Sequence, residues 1–146
     1  MYKRQHQYQG DYAAAVENYT QSLKIDKELG NRAGIAESLH QLGSVHHDQG
    51  DYAAAVENYT QSLKIFKELG NRAGIATALH SLGSVHQDQG DYADAIENYR
   101  IAHSIFKQLG SPNATIAMNN LSDLREKMGE LAFNEAVSAA MKRIDL

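Results

Sequence analysis

The sequence predicts an all-α fold of stacked helix pairs, and an internal repeat with a period of 40 residues is the main reason. The motif Gln-Gly-Asp-Tyr begins at Gln9, returns at Gln49 and returns again at Gln89. Residues 9–48 and 49–88 differ at only five positions. A period of this length is typical of one small structural unit per repeat, stacked on its neighbours so that they share a hydrophobic core.

Each repeat contains two stretches with helical periodicity. Residues 51–69 and 72–88 both place apolar or small side chains at i, i+3 and i+4 spacing. In the first stretch, which we name helix B, these are Tyr52, Ala55, Val56, Tyr59, Ser62, Leu63 and Phe66. In the second, helix A of the next unit, they are Ile75, Ala76, Leu79, Leu82, Gly83 and His86. Neither stretch alternates with a period of two, so we predict helices and not strands.

Glycines mark the expected helix ends. The B helices are followed by a glycine, where a left-handed residue is favoured, at Gly30, Gly70 and Gly110. The next residues are N-cap candidates, namely Asn31, Asn71 and Ser111, and Pro112 is expected at the first helical position. The predicted turns from helix A to helix B contain Gly10, Gly50, Gly90 and Gly129.

Two further glycines, Gly43 and Gly83, fall inside helix A. A glycine in a helix interior costs about 1 kcal/mol relative to alanine. Such a residue is tolerated where two helix backbones must approach closely, so we predict a packing role for both positions.

Residues 79–102 carry the pattern of a known family. They read Leu79-x-x-Leu82-Gly83-x-x-His86-x-x-x-Gly90-Asp91-Tyr92-x-x-Ala95-x-x-x-Tyr99-x-x-Ala102. This pattern resembles the tetratricopeptide repeat and covers nearly the whole chain in three copies. The period of 40 residues, against about 34 in the common form, is similar to the long-helix subtype of kinesin light chains and bacterial signalling or scaffold proteins.

The resemblance implies one domain over residues 1–146, a right-handed α-solenoid of antiparallel helix pairs with about three and a half units and eight helices, the first truncated. The expected parts are a partial repeat, two complete units and a diverged capping unit, over 1–30, 31–70, 71–110 and 111–146. The last helix carries an apolar stripe that should cover the core on one side, formed by Phe133, Ala136, Val137, Ala140, Met141 and Ile144.

Asp26 distinguishes the first repeat from the others, which carry Phe66 and Phe106 at the same position. An unpaired buried carboxylate is costly, so we expect Asp26 to be partly solvated. Two explanations are open: the N-terminal end of the array is adapted to water, or the substitution is neutral at an exposed edge.

Composition excludes several classes of protein. The chain has 146 residues, a net charge of −4 and no cysteine, which excludes disulfides, thiolate zinc sites and a cysteine nucleophile. The mixed charges argue against nucleic acid and anionic membranes as partners. There is no apolar run of membrane-spanning length, and residues 1–6 do not resemble a signal peptide. We expect a cytoplasmic protein.

Catalysis and native metal or cofactor binding are not expected. His40, Ser44 and Asp48 stand at i, i+4 and i+8, and the series repeats over residues 80–88, but a hydrolytic triad needs the histidine between serine and acid. None of the seven histidines has a histidine partner at i+4 on the same helix. No phosphate-binding glycine motif occurs. Most of the tyrosines fall on core positions of the repeat.

In the family, the A helices line a concave groove in which partner segments bind. The resemblance assigns this groove, on the second A helix, to Glu37, His40, Gln41, Ser44, His47 and Asp48. The third contributes Thr77, His80, Ser81, Ser84, Gln87 and Asp88. The fourth contributes Asn119, Asn120, Asp123, Glu126 and Lys127, and the partial first helix only Arg4, Gln7 and Tyr8.

This set lacks the basic clamp with which family members hold a C-terminal carboxylate, since Lys127 is almost alone. We expect instead a polar peptide segment with Lys or Arg, read by hydrogen bonds from His40, His80 and Asn119. The alternative is that these residues form a solvated helix face without a binding role. A separate hypothesis is self-assembly through repeat ends or helix exchange, giving a homo-oligomer. A third is pH sensing, because an unperturbed histidine titrates near pH 6.5.

Overall fold

The structure is a computed structural model that describes the backbone of residues 2–144 and the side chains of residues 10–143. Within these residues it contains seven helices and no strands. The helices are α1 (Tyr2–Leu29), α2 (Arg32–Asp48), α3 (Tyr52–Leu69), α4 (Arg72–Asp88), α5 (Tyr92–Gln108), α6 (Asn113–Met128) and α7 (Glu130–Ile144). None of the described helices combines the length and the hydropathy that a membrane span requires.

The chain forms two compact units. Unit 1 (Met1–Asn71) contains α1, α2 and α3, and its central helix α2 packs against both of the others. Unit 2 (Arg72–Leu146) contains α4 to α7, and α5 packs against α4, α6 and α7. Both units are therefore layers of neighbouring helices, as the repeat predicts.

The expectation of eight helices is wrong within the described residues, because α1 is one continuous helix through Gly10. The same tetrapeptide forms a turn at Gly50 and Gly90, where φ is +80° and +82°. Those turns let two full helices pack along their length. The stretch before Gly10 matches only half of a helix A. Extending a helix already formed adds a backbone hydrogen bond per residue without the cost of a new nucleus, so the chain can continue the helix through Gly10.

The other helix ends agree with the prediction. Gly30, Gly70 and Gly110 have φ of +69°, +66° and +68°, as left-handed C-terminal residues do. Asn31 caps α2, since its Oδ1 accepts a hydrogen bond of 3.1 Å from the Gly34 N–H.

The start of α6 differs by one residue from the expectation. Pro112 precedes the helix, which begins at Asn113. The Ser111 hydroxyl accepts a hydrogen bond of 3.2 Å from the Asn113 N–H, in keeping with the capping role predicted for this serine. The proline ring still fixes a helical φ of −63° immediately before the first turn.

The two glycines inside helix A lie beneath tyrosine rings. A Cβ added to Gly43 would stand 2.8 Å from Cδ1 of Tyr59, and one added to Gly83 would stand 2.8 Å from Cδ1 of Tyr99. Real Cβ atoms essentially never approach another atom so closely. The packing role of both glycines is confirmed, but the nearest neighbour is a tyrosine ring and not, as expected, a second helix backbone.

Helix B also buries a serine. Ser62 of α3 is fully buried, and its hydroxyl donates a hydrogen bond of 2.7 Å to the backbone carbonyl of Ala36 on α2. The equivalent Ser22 of α1 is exposed. The same side chain therefore joins two helices in one repeat and faces water in another.

Asp26 is half-buried and hydrogen-bonded, whereas Phe66 and Phe106 are buried. The Asn31 amide donates to Asp26 Oδ1 over 3.3 Å. The carboxylate is thus partly solvated, as its charge requires.

The core of unit 2 is completed by α7. Phe133 and Ala140 are buried, and Ala136 and Val137 are half-buried. Phe133 belongs to one cluster of buried residues with Ala95, Ile96, Tyr99, Leu121 and Leu124. Met141, expected in the same stripe, is instead 51% exposed, because at about 100° per residue it lies at the edge of the helix face that carries Phe133 and Ala140. The side chain of Ile144 lies outside those described.

Candidate functional site

Unit 2 places the predicted groove residues of α4 and α6 beside the central helix α5. On α4 the half-buried groove residues are Thr77, His80, Ser81, Ser84 and Gln87, and the exposed one is Asp88. On α6 it exposes Asn119, Asp123, Glu126 and Lys127, and it leaves Asn120 half-buried. The half-buried residues can contact α5 with one part of the side chain and a partner with the other.

His80 and Asn120 are brought together by the two A helices. The amide Nδ2 of Asn120 lies 2.7 Å from Nε2 of His80. The His80 ring also packs on Tyr99, with ring centroids 5.3 Å apart. Burial lowers the pKa of His80 below its ordinary 6.5. The imidazole is therefore neutral at pH 7, and its Nε2 can accept the amide hydrogen bond of Asn120.

Tyr99 of α5 lies at the centre of the site, although the sequence indicated only a core residue. The side chain is almost fully buried, and its hydroxyl donates to Oε1 of Gln87 over 2.8 Å. Burial raises the pKa of Tyr99 to about 12, a hydrogen bond with Ser84 opposes this, and Asp88 and Asp123 add to it. The sequence did contain a signal for this role. The buried position carries tyrosine and not phenylalanine, and a buried phenol hydroxyl needs a hydrogen-bond partner.

A small cavity adjoins this network. It has a volume of about 140 Å³ and is lined by Thr77, His80, Phe106, Asn113 and Ile116. Ile116 is 52% exposed, and in the preceding unit the equivalent position is Thr77, because Gly129 and Leu121 align with Gly90 and Leu82. Sequence reasoning found no apolar anchor, and the exchange of a polar residue for a large apolar one at this groove position was the signal it missed.

Unit 1 carries its own predicted groove residues on α2. Three of these are exposed, namely Glu37, Gln41 and Asp48, and three are half-buried, namely His40, Ser44 and His47. The His40 ring packs on Tyr59 with centroids 5.1 Å apart, and His47 meets the edge of Tyr52 at 5.8 Å. Burial lowers the pKa of His40.

The side chains of Arg4, Gln7 and Tyr8, expected at the edge of the groove, lie outside those described.

The site presents hydrogen-bonding groups and carboxylates. His80 is hydrogen-bonded to Asn120, and Ser84 is hydrogen-bonded to Tyr99. A catalytic base and its serine nucleophile would instead be hydrogen-bonded to each other. The exposed charges among the predicted groove residues of α4 and α6 are three carboxylates, those of Asp88, Asp123 and Glu126, and one ammonium group, that of Lys127. The chemistry is suited to recognition of a polar or basic segment.

Solved structures with this fold include two helical repeat proteins. A Podosopora anserina protein described as a kinesin light chain with nearly identical TPR-like repeats superposes with a TM-score of 0.70 at 20% identity, over 95% of this chain and 66% of that one. The apo form of RapI superposes with a TM-score of 0.65 at 20% identity, over 92% and 64%. The chain thus spans just under two thirds of each. No curated protein matches the sequence.

Family models identify the repeat directly. One model of the tetratricopeptide repeat matches residues 4–68 and 74–139, and a second matches residues 40–102. The predicted fold class, an all-α array of tetratricopeptide helix pairs, is confirmed. Such repeats generally mediate protein–protein interactions, and proteins built from them are typically scaffolds and not enzymes. The chain belongs to the tetratricopeptide repeat family.

Proposed function

We propose that the chain is a docking module that binds an extended peptide segment of a partner protein along the A-helix residues. The observation that carries the proposal is the cavity of unit 2, in which Phe106 and Ile116 form an apolar wall beside Thr77 and His80. A pocket of this kind provides affinity through a buried apolar side chain and orientation through a few polar groups.

Polar and charged groups farther along α4 and α6 favour a particular kind of segment. Gln87 and Asn120 carry amides that can pair with a peptide backbone. The exposed carboxylates of Asp88, Asp123 and Glu126 favour a Lys or Arg. Exposed charges of this sort mainly raise the association rate and the specificity, while the apolar anchor provides most of the affinity. We therefore propose a segment with one apolar anchor and one or more basic residues.

Unit 1 offers the same hydrogen-bonding and acidic groups. His40, Ser44 and His47 are half-buried hydrogen-bonding groups, and Glu37 and Asp48 are exposed carboxylates. We propose these residues as a second contact set, with Gln41 at its edge.

The proposal is tested by selecting peptides from a random displayed library on the full chain and measuring their affinities. We expect selected peptides to pair an apolar residue with Lys or Arg. Ile116→Ala should weaken binding about tenfold, which corresponds to about 1.4 kcal/mol. Met118→Ala is the matched control, since Met118 is exposed on the same helix but does not line the cavity. Equal effects of the two variants would contradict the assignment of the cavity.

Self-assembly is the second candidate function. It is favoured by large exposed apolar side chains on the first and last helices, Leu29 at 74% and Leu131 at 75% exposure. Light scattering after size exclusion, over a hundredfold range of protein concentration, separates the two candidates. A mass that rises with concentration supports association of copies. A constant mass near 16.1 kDa supports a monomeric docking module.

A further inference from the structure

We propose that His86, Asp91 and Asp94 of unit 2 form a site for a divalent transition-metal ion such as Zn²⁺. His86 lies in the last turn of α4, Asp91 precedes α5, and Asp94 lies in its first turn. One potential ligand atom of each residue lies within 4.8 Å of those of the other two. The turn at Gly90 is what brings the ends of the two helices together.

Two of the three residues lack the hydrogen bonds that would otherwise occupy them. Nδ1 of His86 is buried and has no hydrogen-bond partner among the described residues, although buried polar atoms are nearly always paired. Asp91 makes no side-chain cap to α5. The equivalent Asp51 does cap its helix, through a bond of 3.2 Å from the Ala54 N–H to Oδ1. His86 and Asp91 are thus available to an ion.

Asp94 is held by an exposed arginine that an ion would displace. Arg143 Nη1 lies 3.1 Å from Oδ1 of Asp94 and 3.5 Å from Oε2 of Glu97. Because the Arg143 side chain is more than half exposed, it can keep Glu97 as its partner when Asp94 turns to the ion. Arginine therefore competes with the metal, and its removal should strengthen metal binding.

The donor set determines the kind of ion. One imidazole nitrogen and two carboxylate oxygens are ligands that Zn²⁺ and its neighbours accept, with water in the remaining positions. Mg²⁺ and Ca²⁺ prefer oxygen alone. Ligand distances to Zn²⁺ are about 2.0–2.2 Å, so the three donors must close by roughly 1 Å. Neither aspartate is buried, so rotation of their side chains can provide this movement.

The 40-residue repeat provides an internal control, since unit 1 has His46 and Asp51 at the same positions but Ala54 in place of Asp94. Nδ1 of His46 is also buried without a partner among the described residues. Unit 1 therefore has two of the three ligands. Sequence reasoning missed the site because the ligands lie on two helices and include only one histidine.

The test is calorimetric titration of the untagged full chain with Zn²⁺ alone. We expect one equivalent to bind and Asp94→Asn to lower the affinity at least tenfold, although this variant keeps all seven histidines. Asp94 is only half-buried and its partner, Arg143, is more than half exposed, so the variant should fold, which circular dichroism checks. Ala54→Asp should add a second equivalent, and Arg143→Gln should raise the affinity for the first.

The visible absorption of bound Co²⁺ identifies which side chains bind the ion. Co²⁺ bound at the site should give visible absorption bands that His86→Gln abolishes and His103→Gln leaves unchanged. Absence of Zn²⁺ binding to the unmodified chain would overturn the proposal. Equal binding by the unmodified chain and Asp94→Asn would overturn it too, because the ion would then be held by histidines elsewhere.

Discussion

Single glycines set how closely the helices of a repeat approach. Gly43 and Gly83 each leave just enough room for the ring of a buried tyrosine, Tyr59 or Tyr99. The tyrosine in turn supports a histidine of helix A, His40 or His80, with ring centroids 5.1 and 5.3 Å apart. A core contact that the sequence predicts thereby fixes the position of a side chain at the candidate site.

Replacement of Gly43 by alanine should destabilise the protein. Alanine gains about 1 kcal/mol of helix propensity, but its Cβ would lie 2.8 Å from the Tyr59 ring. Overpacking of a core typically costs about 1–3 kcal/mol, so we expect a net loss of up to about 2 kcal/mol in urea unfolding. Gly10→Ala is the control, because at this helical glycine no atom of the described residues lies within 4 Å of an added Cβ. It should stabilise the protein by about 0.5–1 kcal/mol. A gain in stability for both variants would contradict the packing role.

Other features of the site could not be predicted residue by residue. The spacing indicates that Tyr99 is buried, but whether its hydroxyl meets Gln87 or Ser84 depends on where α4 lies relative to α5. The wall formed by Phe106 and Ile116 likewise depends on how three helices meet. Periodicity reports which face of a helix is buried and not which atoms face each other across it.

At the scale of helices, identical sequence adopts two structures. Gln-Gly-Asp-Tyr is helical at residues 9–12, whereas at 49–52 and 89–92 it contains a turn that ends where the next helix begins at the tyrosine. The boundaries of α2 to α5 were predictable to within a residue or two, because the glycine and cap signals coincide with packing of the flanking helices. The first boundary was not, because turn signals are weak local preferences that continuation of a helix can override.

The last helix offers a direct test of its packing. Phe133 is buried in the core of unit 2, where the guanidinium of Arg125 also lies 5.4 Å from its ring centre. Phe133→Ala should therefore cost about 3–5 kcal/mol of unfolding free energy. Met141→Ala, at an exposed position of the same helix, should change it by about 0.5 kcal/mol or less. Equal effects in urea unfolding would show that α7 does not complete the core.

The stability of the whole protein should fall as the pH drops below about 6.5. Burial lowers the pKa of His40 and His80, so the folded state keeps both imidazoles neutral where the unfolded state, with a pKa near 6.5, takes up protons. Protons then favour unfolding. We expect a lower urea midpoint at pH 5.5 than at pH 7.5, and a smaller difference in the double variant His40→Gln, His80→Gln. An unchanged difference would show that these histidines do not contribute.

For the whole molecule, the central claim is that the A-helix residues bind a partner segment. The most direct measurement is the affinity of a library-selected peptide for the unmodified chain and for the double variant His40→Ala, His80→Ala. His103→Ala serves as the control, since His103 lies on α5 outside the predicted groove set, and circular dichroism checks that all three proteins are folded. We predict at least a tenfold loss of affinity in the double variant and none in the control. Unchanged affinity in the double variant would contradict the claim.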